Sequence, residues 1–385
     1  MAIPPRALAL VTAALLTACA PAAPGPTPAQ ATPAQTPAQT PPAAPQTFTL
    51  VATGDVLVHQ DRALVAGAAA AGRRTGRGYD FTDVLAPVAP IIRAADVAVC
   101  HLETPLAPPG GPFAGYPRFD VQPQIVDALA GAGYDTCSTA SNHSFDAGVD
   151  GIARTLDDLD AAGIRHAGTY RSAADAATPT VLDVHGVRVA QVAATFGTNG
   201  VPVPKDRAWA VNVFDAPDVS GVLADAARAR RAGAEVVVAS VHCCVEYTSD
   251  ETAAQRAIAR ALLASPDVDL VLGHHAHVVQ PFEKIGGKWV AYGLGNHLAE
   301  HSRPAHAGTE DSVIARFTFT RGAEGRFAVT RAEAVPTRIV LGPDAVRVVP
   351  TGAAEDGADA ASRDRVAEVV GRRGAVAAGL VIADQ

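Results

Sequence analysis

The chain has 385 residues, 48% of them hydrophobic and 18% charged, with a formal net charge of −8 and five Cys. This composition excludes a wholly disordered chain, a collagen-like one and a small disulfide scaffold. The acidic balance excludes sequence-independent nucleic-acid binding, which needs a basic face to neutralise phosphates.

Met1–Ala18 carry one charge, Arg6, followed by the apolar run Ala7–Leu16. That run is too short to span a bilayer, which takes about 20 residues, and it fits the apolar region of a secretory signal peptide. The junction Leu16-Thr17-Ala18-Cys19 resembles a bacterial lipobox. Cleavage before Cys19 and lipidation of its thiol are therefore expected, giving an extracytoplasmic protein anchored to the cell membrane. Residues 19–46 read as a tether: Pro21 to Gln46 hold nine Pro in 26 positions and no charge. Such a segment cannot bury enough apolar surface to offset its ordering entropy.

Beyond the tether, short apolar runs alternate with helix-like stretches. Phe48–Thr53 is a predicted strand running into Gly54-Asp55, and Asp96–Cys100 a second, running into His101-Leu102-Glu103. A helix is expected over Gln122–Ala132, a strand over Tyr134–Thr139 ending at Ser141-Asn142-His143, a helix over Val149–Ala162 and a short strand at Ile164–Ala167. Val181–Asp183 and Val187–Val192 flank a His-Gly turn and read as a hairpin. Val219–Arg231 and Glu251–Leu263 are predicted helices. They alternate with strands Glu235–Val241, ending at His242, and Val268–Leu272, ending at Gly273-His274-His275-Ala276-His277. Hairpins are expected about Gly286-Gly287 and over Val313–Ala332. Strand–helix alternation with hairpins implies a mixed-sheet α/β domain, placed at 47–345. Residues 346–385, Ala-rich and weakly patterned, read as a peripheral or partly disordered tail. Cys100 and Cys137 each end a strand-like run, so a disulfide or two buried thiols are both open there.

Ligands of α/β sheets collect outside the carboxyl ends of the strands. The residues at those ends are Asp55, Glu103, Asn142 with His143, His242, and His275 with His277. Carboxylate oxygen, amide oxygen and imidazole nitrogen form the ligand set for Mn, Fe or Zn, singly or as two adjacent ions. Metal sites of this kind serve hydrolysis.

The segments ATGDVLVH, DVAVCHLETPL, ASNHSFDAG, VVVASVHCCVEYTSDE, DLVLGHHAHVVQPFE and WVAYGLGN, in that order, resemble the CapA family of capsule and poly-γ-glutamate biosynthesis. The resemblance implies a calcineurin-like metallophosphoesterase fold: an α/β sandwich of mixed sheets with helices on the outer faces. It also implies metal ligation by Asp55, Glu103, Asn142, His242, His275 and His277, with His143 as proton donor oriented by Asp146. Glu246, His59 and His274 are expected at the substrate. Position 57, where metallophosphoesterases carry the His of an Asp-x-His motif, is Leu57, so one ion loses a ligand unless His59 reaches in. Cys243-Cys244 stand where the family usually has Trp-Gly. The expected role is that of a surface-anchored protein of capsule-type polymer biosynthesis with a metal-dependent hydrolase site, acting on an anionic polymer or a phosphoester. Two alternatives stay open: a non-catalytic accessory subunit of a membrane polymer synthase with a vestigial metal site, and a cell-envelope phosphodiesterase.

Overall fold

The computed structural model describes residues 25, 46–60, 62–300, 308–342, 346–352 and 357–384. The leader, Cys19 and the tether, apart from Gly25 and Gln46, lie outside the described residues. The described fold belongs to the compact unit Pro45–Gln385.

The first strand is β1 (Thr47–Leu57), and helices α1 (Ala63–Thr75), α2 (Thr82–Leu85) and α3 (Ala89–Arg93) lead from it to β2 (Val97–Leu102). Next come α4 (Ile125–Ala132), β3 (Thr136–Ser138), α5 (Gly148–Ala161) and β4 (Arg165–Ala167). β1 to β4 pair in parallel. After α6 (Ala173–Ala176) a second sheet forms from β5 (Thr180–Val184), β6 (Val187–Thr195), β7 (Val236–His242), β8 (Leu270–His274), β9 (Phe282–Ile285) and β10 (Lys288–Ala291). Within it α7 (Ser220–Arg231) precedes β7 and α8 (Ala253–Ala264) precedes β8. Its order is β5-β6-β7-β8-β10-β9, parallel in the centre and antiparallel at both edges.

The chain then returns to the first sheet through β11 (Asn296–Ala299), β12 (Asp311–Arg321), β13 (Phe327–Leu341), β14 (Val346–Pro350), α9 (Gly357–Gly371) and β15 (Leu380–Ile382). The first sheet runs β14-β13-β12-β1-β2-β3-β4, with β11 paired to β1 and β15 to β13.

The period of two along each strand sorts side chains into layers. From β1 and β2, Leu50, Ala52, Val97 and Val99 meet Val236, Val238, Leu270 and Leu272 of the second sheet in one core. Val51, Ala98 and Cys100 point the other way, onto Leu64, Leu85, Ile92, Leu129 and Leu156 of the helices between β1 and β4. On the far side, Val237, Ala239 and Val241 pack on Val222, Ala226, Ile258 and Leu262 of α7 and α8. The result is two facing sheets covered by outer helices, as expected. Each fully buried aliphatic or aromatic side chain contributes about 1.5–3 kcal/mol.

One reading needs correction. The C-terminal region is not a peripheral tail: β14 and β15 both pair with β13, and α9 sets Val366 and Val370 into the core between the sheets. Its few buried side chains, Ser362, Val366, Val369 and Val370, are too sparse among Ala and charged residues to give a periodic signal. α1 was not foreseen either, because its Ala- and Gly-rich sequence buries only Leu64, Ala68 and Gly72. α8 begins as a capping box. The Thr252 side chain accepts from the Gln255 N–H, and Gln255 returns the bond, which satisfies two otherwise unpaired donors. Cys100 and Cys137, in register across β2 and β3, are joined as a disulfide.

Glu333 of β13 is 5% exposed and accepts from Arg316 at 2.9 and 3.0 Å and from Arg331 at 2.9 Å. Burial alone would raise this carboxyl, but the two guanidinium groups outweigh it and lower it to about 2. The folded protein thus keeps Glu333 ionised where the unfolded chain protonates it. The stability this confers is full above the ordinary carboxylate range and is lost as pH falls toward 2. Chemical denaturation of Glu333→Gln against wild type should show a deficit at pH 7 that shrinks through pH 4 and vanishes near pH 2; a deficit independent of pH would contradict this account.

Candidate metal centre

Parallel strands carry their carboxyl ends to one edge, and here the polar residues gather there. Asp55 lies beside His101 across β1 and β2 and beside Asn296 across β1 and β11. His242 lies beside His274 at the ends of β7 and β8. Two glycines let the chains approach. A Cβ on Gly54 would stand 1.9 Å from the Gly295 carbonyl oxygen, and one on Gly273 would stand 2.0 Å from that of Tyr292. The Asp55 N–H donates to the Gly295 carbonyl at 2.9 Å. His275 and His277 have φ of 91° and 57°, a left-handed backbone costly for residues with a Cβ and concentrated at functional sites.

Ligand atoms of Asp55, His101, Glu103 and His242, all buried, lie within 4.8 Å of one another, as do those of Glu246, His275 and His277 in a second group. Asn142 adjoins the first group, its Oδ1 2.8 Å from His242 Nε2. His277 bridges the two: its Nδ1 is 3.2 Å from Asp55 Oδ2, and its Nε2 is 3.8 Å from Glu103 Oε1. The sequence-derived metal residues Asp55, Glu103, Asn142, His242, His275 and His277 thus converge on one strand-end region.

Other expected site residues fall around this region. His143 Nδ1 is 2.7 Å from Asp146 Oδ2, and that oxygen also accepts from the Phe119 N–H at 2.8 Å. The turn carrying Asn142 and His143 is fixed by Ser141 and Ser144. The His143 N–H donates to Ser141 Oγ, and Ser144 Oγ donates to the Thr139 carbonyl. Glu246, 37% exposed at its side chain, has Oε1 3.9 Å from His275 Nδ1. His274 sits deeper than a substrate contact would, 3% exposed, with Nδ1 3.3 Å from Asp55 Oδ1 and its ring stacked on His101 at 4.0 Å. His59 joins neither group and stands edge-on to Phe119, while Leu57 is buried in the apolar core.

Three residues at the centre were missed from the sequence. His101 lies on the face of β2 shared with Glu103 by the i, i+2 rule, a spacing that could have disclosed it. Its Nε2 is 2.9 Å from His242 Nδ1, and its Nδ1 is 2.7 Å from Ser138 Oγ. Asn296 Oδ1 lies 3.0 Å from His277 Nδ1. Asn199 accepts from the Asn142 amide at 3.2 Å, and nothing in its loop sequence signals that.

Burial and neighbouring charges shift the groups of this region in opposite directions. Burial, reinforced by neighbouring imidazoles, holds His101 and His242 well below the usual range and brings His275 to about 3. All three are neutral, the ligating form of imidazole. Burial would raise Asp55, yet the imidazoles of His274 and His277 hold it well below the carboxylate range. Burial pushes Glu103 up to about 8 despite His277. Glu103, with Asp55, raises His277 to about 9 against burial.

Both oxygens of Glu103 are buried with no hydrogen-bond partner, as is His275 Nδ1. Buried polar atoms left unpaired are costly, and a divalent cation would satisfy them. The donor set of imidazole, carboxylate and amide oxygen fits such an ion.

A two-sheet α/β sandwich with carboxylates and imidazoles gathered at its strand ends is compatible with a divalent-metal site. Residues 49–301 match the model of the family described as bacterial capsule synthesis protein PGA_cap, and the chain belongs to that family. The PGA biosynthesis protein CapA of Bacillus subtilis (strain 168) is 27% identical over 246 residues, 63% of each chain. The capsule biosynthesis protein CapA of Bacillus anthracis is 26% identical over 196 residues, 50% of this chain and 46% of that one. The chain therefore spans less than two thirds of either relative. The crystal structure of calcineurin-like phosphoesterase YfkN from Bacillus subtilis aligns with a TM-score of 0.46 at 14% identity, over 84% of this chain and 98% of that chain.

Proposed function

We propose that the protein is a membrane-anchored hydrolase of capsule-type polymer biosynthesis, cleaving an ester or amide bond of an anionic polymer or phosphoester at a divalent-metal site. The observation that carries this reading is the buried group of Asp55, His101, Glu103 and His242 with its unpartnered carboxylate oxygens. The polymer class is supported by the relatives' names, and the anchor by the lipobox at Cys19 and the tether after it. Subunits of a membrane polymer synthase are the proposed partners.

Asp55, Glu103, Asn142 and His242, with His275 and His277 alongside, would hold one or two ions of Mn, Fe or Zn. A divalent ion there supplies Lewis acidity to a scissile carbonyl or phosphoryl group. His143 acts as proton donor to the leaving group. Asp146 holds its Nδ1 side at 2.7 Å, so proton exchange falls to Nε2, and the Phe119 N–H fixes Asp146 in turn. His101 sets the ring of His242 from behind.

The expected result of His143→Ala in Mn²⁺-loaded protein is a loss of about 10²–10⁴ in kcat on a generic phosphodiester or a γ-glutamyl oligomer, with metal content unchanged. Equal turnover in variant and wild type would remove the hydrolase reading. Cys19→Ser should release the protein from membranes, and unchanged fractionation would refute the anchor. One observation favours the non-catalytic accessory role. Leu57 lies in the apolar core at the position where metallophosphoesterases carry the His of an Asp-x-His motif, and absent turnover at full metal occupancy would select that role.

A further inference from the structure

The turns that follow β7 and β8 face each other. Cys244 and Tyr247 have φ of 101° and 60°, both left-handed, and a disulfide joins Cys243 to Cys244. The Tyr247 N–H donates to the Ala276 carbonyl at 2.8 Å, which pins the first turn to the His275-Ala276-His277 segment. Glu246 is thereby held beside His275, with Oε1 3.9 Å from His275 Nδ1. That nitrogen has no hydrogen-bond partner, and His275 is only 4% exposed.

A 3.9 Å separation is too long for a hydrogen bond. Two atoms bound to one ion, each about 2.0–2.2 Å from it, stand up to about 4.3 Å apart. The Glu246–His275 spacing falls inside that limit, and His277, whose ligand atom lies within 4.8 Å of the other two, has to draw in by no more than about half an ångström to complete the triad.

We propose that Glu246 is a metal ligand rather than a substrate contact, closing with His275 and His277 a second divalent-cation site beside the Asp55–Glu103–His242 group. The inference rests on the proposed function only in taking the strand ends to hold divalent metal. Glu246 comes from the turn after His242, so this site does not need the ligand missing at Leu57 or a movement of His59. Its carboxylate is partly exposed while the first group is sealed. The second ion is therefore the more readily exchanged of the two and the one open to incoming substrate.

The test is a titration of chelator-treated full-length chain with Mn²⁺, read by calorimetry and metal analysis, with electron paramagnetic resonance to detect a spin-coupled pair. Wild type is expected to bind two ions and show coupling. Glu246→Gln is expected to keep the first ion with unaltered affinity and to weaken the second by about 10–100-fold or more, removing the coupled signal. His275→Gln should do the same. Two ions of unchanged affinity in Glu246→Gln, or a single ion in wild type, would overturn the proposal. The substitution lies at the rim, circular dichroism verifies its fold, and the wild-type coupling tests the site without any variant. Turnover enters neither readout: two ions without hydrolysis would uphold this site and remove the hydrolase reading.

Discussion

Chelator-treated Glu103→Gln protein is expected to melt no lower than wild type while losing about 100-fold or more in Mn²⁺ affinity. Glu103 is fully buried, and neither carboxylate oxygen has a hydrogen-bond partner. Glutamine keeps the volume, and burial already pushes the Glu103 carboxyl up to about 8, so at pH 7 the neutral amide replaces a side chain that is mostly protonated in the metal-free fold. The same change removes a candidate ligand of the first group, one that also neighbours His277. Calorimetric melting with and without Mn²⁺ separates the two effects. At a metal concentration of about 100 times the wild-type Kd, wild type gains about 2.7 kcal/mol and a variant weakened 100-fold gains about 0.4 kcal/mol. A variant stabilised by Mn²⁺ as much as wild type would show that Glu103 is not a ligand.

Gly54→Ala is expected to cost more than about 3 kcal/mol or to prevent folding. The added methyl would sit 1.9 Å from the Gly295 carbonyl oxygen and 2.8 Å from its carbon. Both belong to backbone that cannot swing aside as a side chain would. Because Asp55 follows Gly54 and bonds to that same carbonyl, any refolded variant should also bind metal more weakly. Gly221→Ala in α7 is the contrast. Nothing lies within 4 Å of the new Cβ, and a helical Gly→Ala change stabilises by about 0.5–1 kcal/mol. A Gly54→Ala melting temperature within about 2 °C of wild type would contradict the packing argument.

The candidate metal site was legible where an apolar run stops abruptly at a polar residue. Asp55, His242 and the His275/His277 pair follow that rule, since a strand end buried between sheets tolerates a polar group only with a partner. His101 escaped because it lies within β2, where a buried position reads as core unless its neighbour two residues on is also counted. Glu246 could be noticed but not placed. Its position depends on left-handed backbone at Cys244 and Tyr247, which no periodicity encodes. The alternation of strands and helices disclosed the fold class, whereas β14 and β15 depend on pairing to β13 and α9 on packing of Val366 and Val370 into the core. Their local sequence gives no equivalent signal.

The position of β1 has a consequence in time. It sits between β2 on one side and β12 on the other, and its end pairs with β11, yet β12 begins about 250 residues later. At about 5–20 residues per second of synthesis, roughly 13 to 50 seconds separate the emergence of the central strand from that of its second partner. Until then one edge of β1 is an open row of backbone donors and acceptors, the type of edge that recruits other chains. Asp55 also lacks Asn296 and the imidazoles of β8 during that interval. The candidate site therefore comes together only after β8 and β11 have emerged.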